Sequence, residues 1–384
     1  MPSNKGDRML FVALTTVDQA SDGVYLKVEG QIRAFLELYD EVSLFAYSSS
    51  GIVLRTYTSS GYYDYSIHRY SKLPRRFLFW TELKKFFKTH KYSLVYYRYP
   101  VIDLFVLGAF SSMRKNDSAG YSILEIPSYP LEKAQNKGAV RILYDLDSVL
   151  HNQCSKYIDK VVYIGDKCDS IFNCKTQLIP NGFPKSLLNC KATGYTYYHD
   201  KLVMVAVSTM HIWHGYERVI EGIYHYYLSD SKKIDVEFIL VGDGTYRSIY
   251  EELVRKYHLE DHVRFTGSLS GDALDNIYRS ASIGVSSLGC YRKNLHMNSP
   301  LKTKEYMIRG LPYIYGYDEI GLPDDFEYAL KVSNDSNPID INEVVQFVER
   351  IEKDSNRDDV VETMRLFTID NFSWEKIVNC IKLN

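Results

Sequence analysis

Short unbroken apolar runs, each followed by a stretch of helical periodicity, constrain this chain more than any other feature. Met9-Leu-Phe-Val-Ala-Leu14 is the first. A run with no polar alternation is the signature of a strand covered on both faces, as in a parallel sheet. The loop Thr15 to Gly23 follows, then Val24, Val28, Ile32, Phe35 and Leu36 recur at helical spacing to about Tyr39. Val42-Ser-Leu-Phe-Ala-Tyr47 is the next strand. Strand, loop, helix and strand in this order open a doubly wound domain, whose ligands sit beyond the carboxyl ends of the strands. Gly23 stands in that loop, either to let a substrate approach the backbone or as an ordinary turn glycine. Further strand-like runs fall at Ser66–Tyr70, Ser93–Tyr99, Tyr121–Ile126, Lys160–Ile164 and Thr176–Ile179. Residues 186–200 lack periodicity, and Lys201-Leu-Val-Met-Val-Ala-Val207 starts the pattern afresh. The 384 residues therefore read as two doubly wound α/β domains, 1–185 and 200–369.

The chemistry concentrates between Ser287 and Gly316. Ser299 suits a helix N-cap and Pro300 the first turn; Lys302 to Arg309 continue the helix, and Gly310 with Pro312 stops it. A helix N-terminus offers free N–H groups and a positive dipole end to an anion. Lys302 and Lys304 crowd that end, where the dipole alone would favour acids. Glu305 adds a carboxylate that can accept from two hydroxyls. Phosphate plus vicinal diol describes a nucleotide. Two other loops fit the same ligand. Val236 to Val241 reads as a strand that ends in Gly242-Asp-Gly244, a weak phosphate-loop signal; the third glycine of a dinucleotide fingerprint is replaced by Arg247. Ser208 to Gly215 leads into a helix at Tyr216, so His214 and Gly215 can hold phosphate through imidazole and backbone N–H groups.

Ser299-Pro-Leu-Lys-Thr-Lys-Glu-Tyr-Met-Ile-Arg-Gly-Leu-Pro312 resembles the donor-site motif of retaining GT-B glycosyltransferases of family 4, the group 1 type. The resemblance covers most of residues 200–315. It implies two Rossmann-like domains facing each other across a cleft, and transfer of a sugar from a nucleotide diphosphate sugar to a hydroxyl without a metal. It casts Glu305 as the ribose-binding glutamate. The family's first glutamate falls on Met297 and its phosphate-binding arginine on Thr209; its lysine falls on His214, with Gly215 retained. By the same resemblance Gly242 and Gly244 line the donor cleft, the Thr15–Gly23 loop faces the acceptor, and residues 370–384 cross back to the first domain. Lys302 and His214, with the amides near Ser299, are the expected carriers of the departing diphosphate's charge. Glu125 with Ile126-Pro-Ser-Tyr-Pro130 resembles a Glu/Asp-Ile-Pro-x-Tyr-Pro stretch of the family; Glu125 either binds hydroxyls of the acceptor or donor sugar or belongs to a structural turn. No cofactor is expected beyond the donor as co-substrate. A nucleotide-sugar epimerase of the same fold and a non-catalytic sugar-nucleotide-binding subunit are the competing readings.

The remaining signals bound partners and place. A formal net charge of −2 gives no general pull toward nucleic acid. Six scattered cysteines and an N-terminus without a long apolar run fit a reducing cytoplasm. Lys72 to Lys91 carries seven Lys/Arg against one Glu, with Phe77, Trp80, Leu83, Phe86 and Phe87 on one helical face. Such a helix either packs its aromatic face on the sheet or lies on an anionic membrane, where a lipid-linked or polysaccharide acceptor would wait. Asp145-Leu-Asp147 imitates a metal motif, but Val140 to Tyr157 reads as one helix with Ile142, Leu146, Val149 and Leu150 inward, so no metal site is expected.

Overall fold

The computed structural model describes residues 7–18, 23–69, 74–131, 138–183, 185–190, 192–229 and 234–381. The chain divides into two units, Met1–Pro184 with Trp374–Asn384, and Lys185–Ser373. Residues 19–22 of the Thr15–Gly23 loop and 70–73 at the start of the basic segment lie outside the described residues.

The first unit runs β1 (Arg8–Thr16), α1 (Gly23–Phe35), β2 (Glu41–Tyr47), β3 (Gly51–Thr58), β4 (Gly61–Arg69), α2 (Arg75–Phe86), β5 (Tyr92–Arg98), α3 (Leu104–Lys115), β6 (Ala119–Tyr129), α4 (Ala139–Leu150), β7 (Lys160–Gly165), β8 (Ser170–Ile171) and β9 (Cys174–Leu178). Its sheet has the order β4-β3-β2-β1-β5-β6-β7-β9-β8. Met9 to Ala13 are buried because β1 pairs in parallel with β2 on one side and β5 on the other, with helices covering both faces. β3 and β4 form an antiparallel hairpin at the edge. Of this hairpin only the second half of β4, within the run Ser66–Tyr70, stood out from the sequence; β4 is an exposed edge strand with no burial pattern to reveal it.

Two helices of this unit correct the sequence reading, and a third, α2, packs its aromatic face in the core as one of the two readings had it. In α1, Tyr25 is buried while Val24 is exposed, so the inward set is Tyr25, Val28, Ile32 and Phe35. The α-helix from Ala139 ends at Leu150, and a 3-10 stretch, His151–Lys156, follows it. Ile142 and Val149 of α4 are 63% and 72% exposed, and Leu146 is exposed with them. Asp147 points inward instead and accepts from the Tyr99 hydroxyl and the Ile102 amide. Turning the helix to bury its aliphatics would leave that buried amide without an acceptor, a cost of about 1–3 kcal/mol. Asp147 is thus structural, and no group of three or more His, Cys, Asp or Glu among the described residues is placed to hold a metal. In α2, Leu78, Phe79, Trp80, Leu83 and Phe86 are buried in the core, and Phe77 packs edge-on against Phe105 at 4.9 Å. Arg76 is turned inward to Asp103 (2.8 Å) and to the carbonyls of Pro100 and Val101. Arg75, Lys84, Lys85, Lys88 and Lys91 remain exposed.

The second unit runs β10 (Lys201–Val207), α5 (Glu217–Leu228), β11 (Asp235–Val241), α6 (Arg247–Lys256), β12 (Val263–Gly267), α7 (Gly271–Ser280), β13 (Ile283–Val285), β14 (Met297–Asn298), α8 (Leu301–Arg309), β15 (Tyr313–Tyr315), β16 (Asp318–Glu319), β17 (Ala329–Lys331), α9 (Ile341–Asp354) and α10 (Arg357–Phe372). Its six-stranded sheet, β12-β11-β10-β13-β15-β17, is parallel throughout. Both units are Rossmann-like, with order reversing on either side of the first strand. The chain then returns to the first unit in α11 (Trp374–Cys380), which packs on α1. Gly182 makes room for it: a Cβ there would lie 2.5 Å from the Trp374 indole. No helix among the described residues is long and apolar enough to cross a membrane.

Candidate functional site

In the second unit the strand order reverses between β10 and β13. The loops leaving these two strands therefore meet at the position where a doubly wound sheet binds its ligand. They are laced together: the Leu288 amide donates to the His214 carbonyl at 2.8 Å, and Gly289 to Trp213 at 3.2 Å. The approach is close enough to require glycine. Gly215 has φ +65°, and a Cβ on it would stand 2.5 Å from the Gly289 nitrogen. Gly242 and Gly244 serve the same end on the other side. Their φ values are +119° and +152°, and a Cβ would come within 2.0 Å of the Ser208 carbonyl oxygen or 2.3 Å of the Met210 oxygen. Their immediate role is thus to seat the loop after β10. Thr209, Gly242 and Gly244 line one cavity of about 500 Å³, together with Ser208, Asp243 and Ser268.

Lys302 lies in the first turn of α8. Its ammonium donates to the Tyr216 hydroxyl at 2.9 Å, which leaves that phenol to donate to Ser208 Oγ, also 2.9 Å away. The chain of three groups joins α8 to the cavity wall. Among the described residues Lys302 has no carboxylate partner. Burial pulls its pKa from the usual 10.5 down to about 7. His214 is buried against it, its ring stacked on Tyr216 at 5.4 Å. Its Nδ1 accepts from the His211 amide (3.0 Å), so the neutral ring carries its proton on Nε2, as a donor. Burial first, then the charges of Lys302, His211 and Lys293, hold its pKa far below the ordinary value. The site thus keeps an imidazole that donates without carrying charge.

The rest of α8 departs from the sequence reading. The helix is capped by Pro300 rather than Ser299, and no side chain bonds its first amides. The Ser299 hydroxyl is taken by Lys304, at 2.7 Å. Lys304 does not stand at the helix opening. It is fully buried, paired with Glu319 and lying 4.3 Å from the centre of the Phe372 ring. A cation this deep needs a counter-ion, and Glu319 on β16 supplies it. Glu305 lies three residues beyond Lys302, on the same face of α8. It accepts from Arg309 Nε at 3.3 Å, and Arg309 also bonds Asp275 at 2.8 Å. Burial raises the Glu305 pKa against the pull of Arg309. Met297, where the resemblance places the family's first glutamate, sits on β14 beside Asp318.

Residues 201–349 match the family model described as Glycosyl transferases group 1. This is a group 1 glycosyltransferase domain. No curated protein matches the chain significantly. The solved structures similar to the whole chain include sucrose-phosphate synthase from Thermosynechococcus elongatus, 17% identical, with TM-score 0.62, covering 97% of this chain and 96% of that one. A glycosyltransferase from Rickettsia africae ESF-5 is 12% identical, with TM-score 0.63 and 98% and 96% covered. Anabaena HepE in complex with UDP is 12% identical, with TM-score 0.60 and 97% of each chain covered. The shared fold is GT-B.

Around the glycosyltransferase domain, the sequence-derived residues fall into three sets. Lys302, His214 and Gly215 come together at the switch point, with Glu305 about one turn away. Thr209, Gly242 and Gly244 share the neighbouring cavity. Lys304 and Ser299 are bound up in structural contacts behind α8. Tyr216 and Ser208, the links between the first two sets, were missed, although each adjoins a predicted boundary: the end of a strand and the start of a helix. In the first unit, Gly23 begins α1. Glu125 is fully buried and ion-paired to Lys27 at 2.9 Å. It is thereby corrected from a sugar-contacting group to an internal counter-ion.

Proposed function

We propose that this protein is a retaining, metal-independent glycosyltransferase that moves a hexosyl group from a nucleotide diphosphate sugar to a hydroxyl of a growing glycan. Lys302 carries the reading: a half-buried ammonium that has no carboxylate partner among the described residues, at the switch point of a group 1 glycosyltransferase domain. A buried charge with no counter-ion is costly unless a ligand supplies one. A diphosphate does so, and the charge it gains on leaving is met by Lys302, the Nε2–H of His214 and the free amides at the start of α8. Glu305 takes the ribose hydroxyls, and the cavity lined by Thr209, Gly242 and Gly244 takes the adjoining part of the donor. The bond from the sugar's anomeric carbon to phosphate oxygen breaks and a bond to the acceptor oxygen forms on the same face. The acceptor's proton passes to the departing phosphate. The UDP complex of HepE, which shares this fold, supports a nucleotide as the ligand.

A lipid-linked or polysaccharide acceptor at the cytoplasmic face of a membrane fits the exposed Arg75, Lys84 and Lys85 on α2, with Lys88 and Lys91 just beyond it; the helix itself already buries Phe79, Trp80 and Phe86. Attachment through these cations alone would be weak and screened by salt. The test of the central reading is a thermal-shift screen over UDP-, GDP-, ADP- and dTDP-sugars, with wild type and Lys302→Ala side by side. One donor class should raise the wild-type Tm and leave the variant's unmoved. No shift with any donor, or equal shifts in both proteins, removes Lys302 from the donor site.

A further inference from the structure

The first unit has its own switch point, between β1 and β5. The carboxyl ends of these strands are Thr16 and Arg98. Three charged side chains converge there: Arg98, its register partner Glu125 on β6, and Lys27 from the second turn of α1. Glu125 is committed. Its Oε1 lies 2.9 Å from the Lys27 ammonium and its Oε2 accepts from Gln31 Nε2, also at 2.9 Å. Its pKa is lowered to about 2 by Lys27 and Arg98, against burial acting in the other direction, so it is a carboxylate at any working pH. Two cations thus share one anion, which leaves one positive charge in a nearly dry place.

Arg98 holds that excess. Its guanidinium comes no nearer to Glu125 than 3.7 Å, outside hydrogen-bond reach, and it makes no hydrogen bond among the described residues. Its Nη1 is buried and without a hydrogen-bond partner, yet the side chain keeps 17% exposure. Thr15, one residue before the end of β1, has a buried hydroxyl that is also without a partner. A guanidinium presents five donors in a planar fork that matches the two oxygens of a carboxylate or phosphate. Leaving such a fork unbonded and largely enclosed is expensive, and a neutral hydroxyl would not discharge the excess charge.

We propose that Arg98 anchors an oxyanion-binding subsite in the first unit, with Thr15 beside it and Lys27–Glu125 fixing its rear wall, and that the ligand is a phosphate or carboxylate borne by the acceptor. Only the word acceptor rests on the glycosyltransferase reading; the anion site stands on its own geometry. Both phosphate and carboxylate satisfy the fork, and they imply different acceptors: a phosphorylated carrier or an acidic sugar.

The test is a thermal-shift titration of the full chain at constant ionic strength, with the preferred nucleoside diphosphate saturating the donor site. Inorganic phosphate and glucuronate are added in separate series, to wild type, Arg98→Gln, Arg98→Lys and Lys302→Ala. One anion should stabilise wild type and Lys302→Ala saturably, with the apparent affinity at least tenfold weaker in Arg98→Gln and intermediate in Arg98→Lys, which keeps charge but loses the fork. If Arg98→Gln does not fold, a wild-type response in Arg98→Lys overturns the fork. No saturable response to either anion in wild type, or an undiminished one in Arg98→Gln, overturns the subsite. A response lost in Lys302→Ala and kept in Arg98→Gln places the anion in the donor site and leaves that reading standing. An Arg98-dependent response without any nucleotide binding does the reverse.

Discussion

Replacing Lys302 by methionine should stabilise the protein while abolishing donor binding. The ammonium's pKa falls from 10.5 to about 7 on folding, chiefly through burial. Every tenfold change in a proton-binding constant is worth about 1.4 kcal/mol, so at pH 7 the native state carries a penalty of roughly 4 kcal/mol as an upper limit. Methionine keeps most of the volume and removes the charge, but it loses the bond to Tyr216, worth about 1 kcal/mol. The net gain is about 1–3 kcal/mol, and each kcal/mol raises Tm by about 2–4 °C in a unit of this size. The sign with pH follows from linkage. The folded pKa of this base lies below the unfolded one, so the penalty is full below about pH 7 and fades as pH rises toward 10.5. Thermal denaturation followed by circular dichroism from pH 6 to pH 10 gives the difference between Lys302→Met and wild type. It should be largest at pH 6 and shrink steadily above pH 7. A variant that is less stable than wild type at pH 6, or a difference that ignores pH, would falsify the account of Lys302 as a strained, ligand-seeking cation.

Glu305→Ala should weaken binding of the preferred nucleoside diphosphate by about 1.5–3 kcal/mol, read by calorimetric titration; unchanged affinity in a folded variant would detach Glu305 from the ribose. Gly215→Ala should lower Tm and donor affinity together, since φ +65° costs a side chain about 1–2 kcal/mol before the contact with the Gly289 nitrogen is counted. A wild-type Tm would mean that the loops after β10 and β13 are not held as tightly as their contacts imply. Sugar transfer should persist in excess chelator; activity lost there and restored by magnesium or manganese would contradict a donor site that works through Lys302, His214 and backbone amides without a metal.

The periodicity of the sequence determined the architecture of each unit. Met9–Ala13 and Leu202–Ala206 are buried on both faces, as the strands of a parallel sheet are, and Gly310 ends α8 in the left-handed conformation that few other residues adopt. The motif around Glu305 likewise named the fold, because it is local and its residues are consecutive. Where periodicity and burial part company, the sequence misled. The aliphatic stripe of α4 faces out because one buried carboxylate, Asp147, has donors waiting on a different strand end. Nor can any local pattern tell which of two lysines two residues apart finds a counter-ion. Lys304 meets Glu319 and becomes part of the scaffold, while Lys302 bonds Tyr216 and finds no carboxylate among the described residues. Glu125 close against Lys27, and Arg98 held off at 3.7 Å with no hydrogen bond among the described residues, show the same division in the first unit. Charge pairing in a protein interior depends on which elements the sheet order brings together, and that order is written in long-range contacts rather than in neighbouring residues.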